Sequence, residues 1–268
     1  MSSRKPTPLT VRVTEDLQRM LEGDPSHDRL VAALRHLAKW RSHLVSETLT
    51  KMSGDTVLSG PFKGMKYGVR ASEGTRSARL IGCYEASLAD VVETIIARAY
   101  PLVIDIGSAE GYYAVGLARR MPEARVLARD DNPFAQSLCR KLAEQNGVAD
   151  RIEIGGRMEA ADFAICTTAR SVIVCDIEGA EEDLLDPAQA PGLLAADILV
   201  EVHEGMKPGL LEKIARRFRP THALRRIERR IDDSGLPDWM HQLSDMDRLL
   251  AVWEWRAGPT PWLWMERK

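Results

Sequence analysis

The chain has 268 residues, of which 44% are hydrophobic and 28% are charged, a composition typical of a globular protein. Its formal net charge of −2 gives no general attraction for nucleic acid or an anionic membrane, and no apolar run is long enough to predict a membrane span. The N-terminus lacks the apolar core of a secretory leader, and the four cysteines lack metal-binding spacing, so we expect a cytoplasmic protein without a nucleic-acid or membrane partner.

Residues 1–80 predict a helical extension followed by a small β or irregular link. Apolar residues between Leu30 and Val45 recur at helical spacing, which predicts a helical stretch over about 11–52, with Asp24 as a cap and Pro25 at a first helical position. Residues up to about Pro8 are expected to be loosely attached. We expect this extension to pack on a main domain of residues 81–268 or to form a homodimer.

Short strands and helices alternate through the main domain. After a helix that ends near Ala99, the predicted strands are 101–106, 124–130, 151–155, 171–176 and 197–203. The predicted helices between and after them are 111–121, 133–145, 158–168, 180–195 and one that begins near Pro208. This alternation is typical of a doubly wound, mostly parallel α/β sheet.

The last third of the chain predicts a helix over 239–249 and a strand over 250–255. Two tryptophan pairs, Trp253 with Trp255 and Trp262 with Trp264, have the spacing of a strand. Such pairs either pack in a core or interface, or form an apolar wall for a flat substrate. The basic run 225–230 is interpreted as a solvated strand edge or turn, with an anion site as the alternative.

The stretch 103–118 reads as a strand that turns on small residues into a helix. Such a turn lets the backbone approach a ligand and directs free N–H groups of the helix toward it. The spacing Gly107-x-Ala109-x-Gly111 departs from the dinucleotide fingerprint, because the bulky Tyr112 follows Gly111. Asp105, two residues before the turn, suits a ligand with an ammonium group or hydroxyls better than a pyrophosphate.

Carboxylates recur at the predicted strand ends, which are the ligand-binding edge of such a sheet. Asp130 ends the second strand, where a carboxylate can accept hydrogen bonds from both hydroxyls of a ribose, and Asp131 follows it. Two further acidic runs end later strands: Asp176-Ile177-Glu178 and Glu201-Val202-His203-Glu204.

These motifs together resemble class I S-adenosylmethionine-dependent methyltransferases. The residues that carry the resemblance are 103–111, Asp130 and 176–181, and with 82–85 they are most similar to the FkbM-like branch. The resemblance covers about residues 80–205. It implies a seven-stranded, Rossmann-like methyltransferase fold that binds S-adenosylmethionine.

The resemblance also implies a set of cofactor contacts. Asp105 would orient the amino group of the cofactor, Asp130 would bind the ribose, and Glu85 would approach the methionine moiety. The turn residues Gly107, Ala109 and Gly111 would line the methionine and ribose. The cofactor-binding set is completed by their neighbours Ser108, Tyr112 and Asp131. Ala109 departs from the usual glycine of the family, and 155–158 lacks the acid that many relatives use near adenine.

Three residues are candidates for catalysis of methyl transfer: His203, Asp176 and Glu178. The ordinary pKa of histidine, about 6.5, suits His203 to accept a proton from a hydroxyl near neutral pH. The structural alternatives are a histidine that only closes a strand, and acids such as Glu178 that only begin a helix. A Mg²⁺ or Mn²⁺ site formed by Asp176 with Glu201, Glu204 or His203 is a further alternative.

The sequence therefore predicts an S-adenosylmethionine-dependent methyltransferase that acts on a hydroxyl of a small molecule, either a saccharide or a secondary metabolite. A cofactor-binding scaffold or partner subunit without catalysis is the main alternative. An N-methyltransferase and an NAD-dependent oxidoreductase are less favoured, the latter because of the glycine spacing.

Overall fold

The computed structural model describes residues 6–72, 74–256, 258 and 260–268, so the expectation for residues 1–5 lies outside the described part. The α-helices are α1 Pro8–Leu21, α2 His27–Ser53, α3 Arg76–Ile81, α4 Ala89–Arg98, α5 Tyr112–Arg120, α6 Pro133–Gln145, α7 Glu181–Leu184, α8 Leu210–Phe218 and α9 Asp245–Val252. The strands are β1 Leu102–Ile106, β2 Arg125–Arg129, β3 Ile152–Gly155, β4 Ser171–Cys175, β5 Ala196–Glu201, β6 His222–Ile227 and β7 Trp262–Arg267. Longer 3₁₀ turns lie at Ala160–Thr167, Pro191–Ala195 and Asp238–Gln242.

The strands form one seven-stranded sheet in the order β3-β2-β1-β4-β5-β7-β6. Pairing is parallel from β3 to β5, and β7 runs antiparallel to both β5 and β6. Every residue of β1, β4 and β5 is buried, as expected for parallel strands covered on both faces. The predicted doubly wound, mostly parallel seven-stranded fold is confirmed.

The ends of these strands meet at one edge of the sheet, here called the carboxyl edge. Ile106, the last residue of β1, pairs with Arg129 of β2 and Cys175 of β4. Because β7 is antiparallel, its first residue, Trp262, pairs with the last residues of both β5 and β6. The loops that follow β1, β2, β4, β5 and β6 therefore converge there with the loop that precedes β7.

Residues 11–52 are mainly helical and form two helices, of which the second begins at His27 and not at the predicted start, Asp24-Pro25. Gly23 adopts a φ of +86° in the connection and interrupts the helix. Asp24 and Pro25 lie in that connection, and Ser26 is the N-cap residue of α2. None of the described helices combines the length and apolarity that crossing a membrane requires.

The link between α2 and α4 is a mostly irregular segment and not a simple β-hairpin. It contains an isolated antiparallel bridge between Thr56 and Lys66, and the short helix α3, which the sequence analysis did not predict. Phe62, Met65 and Tyr67 of this link are buried in the hydrophobic cluster that covers one face of the sheet. The link therefore belongs to the core.

The predicted helix over 239–249 and strand over 250–255 are wrong in position. Residues 245–252 form α9 and no strand occupies 250–255, so Trp253 and Trp255 lie in a connection. Trp262 and Trp264 do lie in a strand, β7, and both are buried. β6 was not predicted as a strand, because five of its six residues, including Arg225 and Arg226, are exposed or half-buried and an edge strand lacks the apolar run of a central one.

Candidate active site

The turn after β1 has the backbone of a close-approach loop. Gly107, Ala109 and Gly111 all have positive φ values, of 76°, 49° and 92°. A Cβ atom at Gly107 would lie 1.7 Å from the carbonyl oxygen of Asp176, and one at Gly111 would lie 2.7 Å from Cys139 Sγ. Both positions therefore require glycine, whereas Ala109 accepts the left-handed conformation with its methyl group.

Asp130 follows β2 and is bonded to this turn. Its Oδ2 accepts a hydrogen bond from the backbone N–H of Ala109 at 2.8 Å, and its Oδ1 accepts one from Asn132 at 2.8 Å. Each carboxylate oxygen can accept a second hydrogen bond, and the side chain is half-buried. Asp130 thus fixes the turn and retains capacity for ligand hydroxyls. Asp131 beside it is exposed.

Two buried polar atoms beside the turn have no hydrogen-bond partner within the described residues, Asp105 Oδ2 and Ser108 Oγ. Burial raises the pKa of Asp105 to about 7, against a backbone hydrogen bond from Ala114, and the negative charges of Asp130 and Glu110 raise it further. A buried carboxylate oxygen that lacks a partner is costly on its own. It fits the ammonium group of a bound ligand.

Two residues at the end of the turn, Glu110 and Tyr112, contact the link and α3. Tyr112 packs edge-on against the rings of Phe62, Tyr67 and Tyr84. Glu110 is buried and lies 2.9 Å from Arg79 Nε. Their side chains therefore anchor the turn to the link and α3 from beneath.

A second group of predicted residues lies where β4 and β5 end. His203 Nε2 lies 3.3 Å from Glu178 Oε2 and 3.7 Å from Asp176 Oδ1. On the other side of the ring, His203 Nδ1 lies 2.5 Å from Glu181 Oε1, and Glu181 is fully buried. The structure thus brings His203, Asp176 and Glu178 together and adds Glu181 as the partner of the second ring nitrogen.

The imidazole is held in one orientation and charged more readily than usual. The hydrogen bond with Glu181 and the negative charges of Glu201 and Glu178 outweigh the opposing effect of burial and raise the pKa of His203. Although burial alone would raise the pKa of Glu181, its hydrogen bond with His203 leaves that pKa lowered. An ionised Glu181 that accepts the Nδ1 proton leaves the Nε2 lone pair free to act as a base.

Glu85 lies in a buried charged network centred on Arg256. Arg256 donates hydrogen bonds to Glu85 and Glu201 and lies 3.1 Å from Glu254 Oε2. Tyr113 donates to the other oxygen of Glu85, and Thr260 donates to Glu201. Through these contacts the network connects the segment before β7 with Glu201, the last residue of β5, and with Glu85 in the loop before α4.

Negative charge exceeds positive charge within this network. Burial, followed by the nearby charges of Glu201 and Glu254 and opposed by Arg256, raises the pKa of Glu85 to about 8. Burial together with the charges of Glu201 and Glu85 raises the pKa of Asp176 well above its ordinary value. This part of the site therefore favours protons or cations.

Two overlapping sets of side chains could hold a metal ion. In each, one ligand atom per residue lies within 4.8 Å of the others; the sets are Asp176-Glu178-His203 and Glu85-Asp176-Glu201. Three buried carboxylate oxygens at this place accept no hydrogen bond within the described residues: Asp176 Oδ1, Glu181 Oε2 and Glu201 Oε2. Glu204 is committed elsewhere, because its carboxylate accepts the backbone N–H groups of Gly209 and Leu211 at the start of α8.

No sequence pattern singles out Arg256, Glu254, Thr260 or Tyr113 as site residues. Arg256, Glu254 and Thr260 belong to the irregular segment before β7, which has no periodicity, and only the antiparallel course of β7 brings them to the carboxyl edge.

A cavity of about 710 Å³ lies at the opposite edge of the sheet, where Arg170 and Arg267 line it, and none of the predicted site residues reaches it.

No family model matches the chain. An 85-residue stretch is 36% identical to the release factor glutamine methyltransferase of Chlorobaculum tepidum, which covers 32% of this chain and 26% of that protein. The chain therefore matches about a quarter of the length of that curated relative.

Solved methyltransferase structures are similar to the chain at low identity. The O-methyltransferase from Bacillus cereus in complex with SAH is 12% identical, with a TM-score of 0.46, over 96% of this chain and 97% of that one. The O-methyltransferase TomG from Streptomyces achromogenes, involved in tomaymycin synthesis and solved with SAM, is 10% identical, with a TM-score of 0.43, over 94% and 96%. Similarities at this level do not identify an activity, so the residues of the chain itself must support one.

Proposed function

We propose that the chain is an S-adenosylmethionine-dependent methyltransferase of the FkbM-like branch that methylates a hydroxyl of a small molecule in the cytoplasm. The observation that carries the proposal is the turn after β1. Its three positive φ values, its hydrogen bond to Asp130 and the unpartnered carboxylate oxygen of Asp105 form one cradle at the carboxyl edge. The cradle combines hydrogen-bond acceptors for ribose hydroxyls with a buried anion for an ammonium.

The cradle fits the methionine and ribose portion of the cofactor. The carboxylate of Asp105 would bind the amino group and Asp130 the ribose, while Gly107 and Gly111 keep the backbone close enough for contact. Ser108 Oγ, which is buried and lacks a partner, would donate to a polar group of the cofactor. Asp131 would add a second acid at the exposed side of the ribose, and Tyr112 supports the turn through its ring contacts.

The bound cofactor supplies an activated methyl group on a sulfonium, so the protein has to align a nucleophile and remove its proton. His203 Nε2 would accept the proton of the acceptor hydroxyl as the oxygen forms its bond to the methyl carbon. The sulfur–methyl bond would break in the same step and leave its electron pair on sulfur. Glu181 stabilises the resulting imidazolium, while Asp176 and Glu178 hold the hydroxyl or the charged ring in place.

Transfer of a radiolabelled methyl group from S-adenosylmethionine to a panel of hydroxyl-bearing small molecules tests this activity. A positioned base contributes roughly 10²–10⁴-fold, so we expect His203→Gln to lower kcat by about that factor while S-adenosylhomocysteine still binds. Glu181→Gln is expected to keep cofactor binding. Because the His203 ring loses its anionic partner, its pKa should fall, and the rise of kcat with pH should move to lower pH. Full activity of His203→Gln would contradict the assigned role.

A divalent cation, Mg²⁺ or Mn²⁺, is a second candidate component, supported by the three unpartnered carboxylate oxygens around Asp176 and Glu201. Carboxylates with one imidazole suit these ions, and a bound ion would lower the pKa of an acceptor hydroxyl. Loss of transfer in EDTA, restored by added Mg²⁺, would support the ion. Unchanged transfer in excess EDTA would contradict it.

A further inference from the structure

A cavity of about 230 Å³ is lined by Glu85 and by Tyr112 and Tyr113, which follow the turn after β1. The body of the protein forms its floor and walls, whose side chains are mainly apolar or aromatic: Pro61, Phe62, Leu88, Val92, Tyr112 and Tyr113. The loop after β6 forms its cover, to which Arg230, Asp232 and Ser234 contribute polar groups. The lining thus combines apolar and aromatic side chains with polar groups in similar proportion.

Glu85 connects this cavity with the predicted catalytic residues. Its side chain lines the cavity, and one of its carboxylate oxygens lies within 4.8 Å of ligand atoms of both Asp176 and Glu201. Tyr113, whose hydroxyl donates to Glu85, lines the cavity as well. A molecule in the cavity can therefore direct a polar group past Glu85 toward Asp176 and His203.

The dimensions and surface of the cavity restrict what can occupy it. Pockets for drug-sized ligands measure roughly 300–1,000 Å³, so this smaller one suits a single ring. A saccharide would leave several hydroxyls against Phe62, Leu88 and Val92, which offer no side-chain hydrogen bond, and an unpaired buried hydroxyl is costly. An aromatic ring instead gains edge and face contacts with tyrosine and phenylalanine rings.

From this cavity we infer that the acceptor is a single-ring phenol, bound with its ring between α4 and the rings of Phe62 and Tyr113 and with its hydroxyl directed past Glu85 toward Asp176 and His203. This inference rests on the proposed methyltransferase function and names the acceptor class for it. It selects an aromatic small molecule over the saccharide that the sequence left open. The basic run after β6, through Arg230, then serves as the cover of the acceptor site.

Ala89 offers a substitution that fills the cavity with little damage to the fold. It lines the cavity at the first residue of α4 and is half-buried, whereas Ala97 on the same helix is exposed and does not line it. Ala89→Phe and Ala97→Phe therefore add the same side chain to the same helix. Only the first occupies the proposed acceptor space.

Ligand-observed NMR titration tests the inference with p-cresol as the phenol probe and methyl α-D-glucopyranoside as the saccharide probe, each with and without saturating S-adenosylhomocysteine. We expect p-cresol to bind the wild type with a Kd on the order of 1 mM, as suits a ligand of its size. Ala89→Phe should weaken it about tenfold or more, which corresponds to ~1.4 kcal/mol, and Ala97→Phe should not. The glucoside should not compete with p-cresol.

Equal p-cresol binding by Ala89→Phe, absence of p-cresol binding by the wild type, or competition by the glucoside would overturn the inference. The affinity for S-adenosylhomocysteine, measured on every variant, separates this outcome from failure of the proposed function. An unchanged affinity in Ala89→Phe shows that the variant is folded and that its cofactor site is intact. A wild type that binds p-cresol but no S-adenosylhomocysteine would refute the methyltransferase proposal and leave the cavity assignment standing.

Discussion

Asp105 combines a buried carboxylate, an unpartnered oxygen and a pKa raised to about 7, mainly by burial. Its position two residues before the turn was enough to nominate it from sequence. Its burial and missing partner depend on how α5 and the turn pack over β1, and no local pattern encodes that. The same holds for His203, which the sequence placed at a strand end, while its partner Glu181 became apparent only from the fold.

The raised pKa of Asp105 predicts a pH-dependent cofactor affinity. An ammonium group favours the ionised carboxylate, so the affinity for S-adenosylhomocysteine should rise about tenfold between pH 6 and pH 8, with uptake of the ligand releasing a proton. In the free protein the raised pKa of Asp105 has the opposite effect on the free energy of unfolding. The protonated carboxyl contributes stability at acid pH, and this contribution is lost as the pH rises through 7. Calorimetry in buffers of different ionisation enthalpy measures the proton release.

Asp105→Asn is the control for this pH effect, because the amide keeps the shape of the side chain and cannot titrate. It should bind more weakly, and the part of the pH dependence that comes from Asp105 should vanish. Persistence of the full dependence in Asp105→Asn would assign it to another group, such as His203. A flat profile in the wild type would show that no ammonium meets this carboxylate.

At the scale of elements, the alternation of apolar strands and helices predicted β1 to β5, α5 and α6 closely. The predicted helix 158–168 is a 3₁₀ turn, and the predicted helix 180–195 is only the short α7 and a second 3₁₀ turn. Parallel strands buried on both faces leave the continuous apolar runs that such a prediction needs. The C-terminal third lacks them, because β6 is an exposed edge strand and β7 lies after an irregular segment. That is why Arg256 and Glu254, which the sequence did not single out, come from this part of the chain.

The turn after β1 lies in close contact with the residue that follows β4. A Cβ atom at Gly107 would meet the carbonyl oxygen of Asp176 at 1.7 Å, and Gly107 also has a positive φ. Gly107→Ala should therefore lower the free energy of unfolding by more than about 4 kcal/mol, or prevent folding. Urea denaturation measures the change.

Gly147→Ala is a matched control that measures the cost of a left-handed alanine backbone without a steric clash. Gly147 has a similar φ of +66°, but a Cβ atom there meets nothing within 4 Å. Its cost should be only the ~1–2 kcal/mol of a left-handed alanine. Equal costs for the two substitutions would mean that the ends of β1 and β4 do not approach each other as described.

At the scale of the whole molecule, α2 leaves apolar side chains on its outer face. Leu30, Val31, Leu34 and Leu37 lie about one helical turn apart or less, and Leu30 and Leu34 are 63% and 69% exposed. Exposed apolar side chains in succession mark an interaction surface more often than single ones do. We propose that this face of the N-terminal extension pairs with a second copy of the chain, as the sequence suggested.

Sedimentation velocity tests the pairing. The wild type should sediment as a dimer at micromolar concentration and Leu34→Glu as a monomer, because a charge at the centre of the face cannot be desolvated cheaply. Leu249→Glu, at a similarly exposed apolar position on α9 and not on α2, should remain dimeric. A wild type that is monomeric at all concentrations would refute the pairing.

For the molecule as a whole, the cofactor cradle determines which nucleotide is bound, and isothermal titration with S-adenosylhomocysteine and with NAD measures this choice. We expect micromolar binding of S-adenosylhomocysteine by the wild type and no measurable binding of NAD. Asp130→Ala should weaken S-adenosylhomocysteine binding at least tenfold, because it removes both a ribose acceptor and the bond to Ala109, while Asp150→Ala, at an exposed acid outside the cradle, should not. Binding of NAD in place of S-adenosylhomocysteine, or equal binding of S-adenosylhomocysteine by Asp130→Ala, would contradict this expectation.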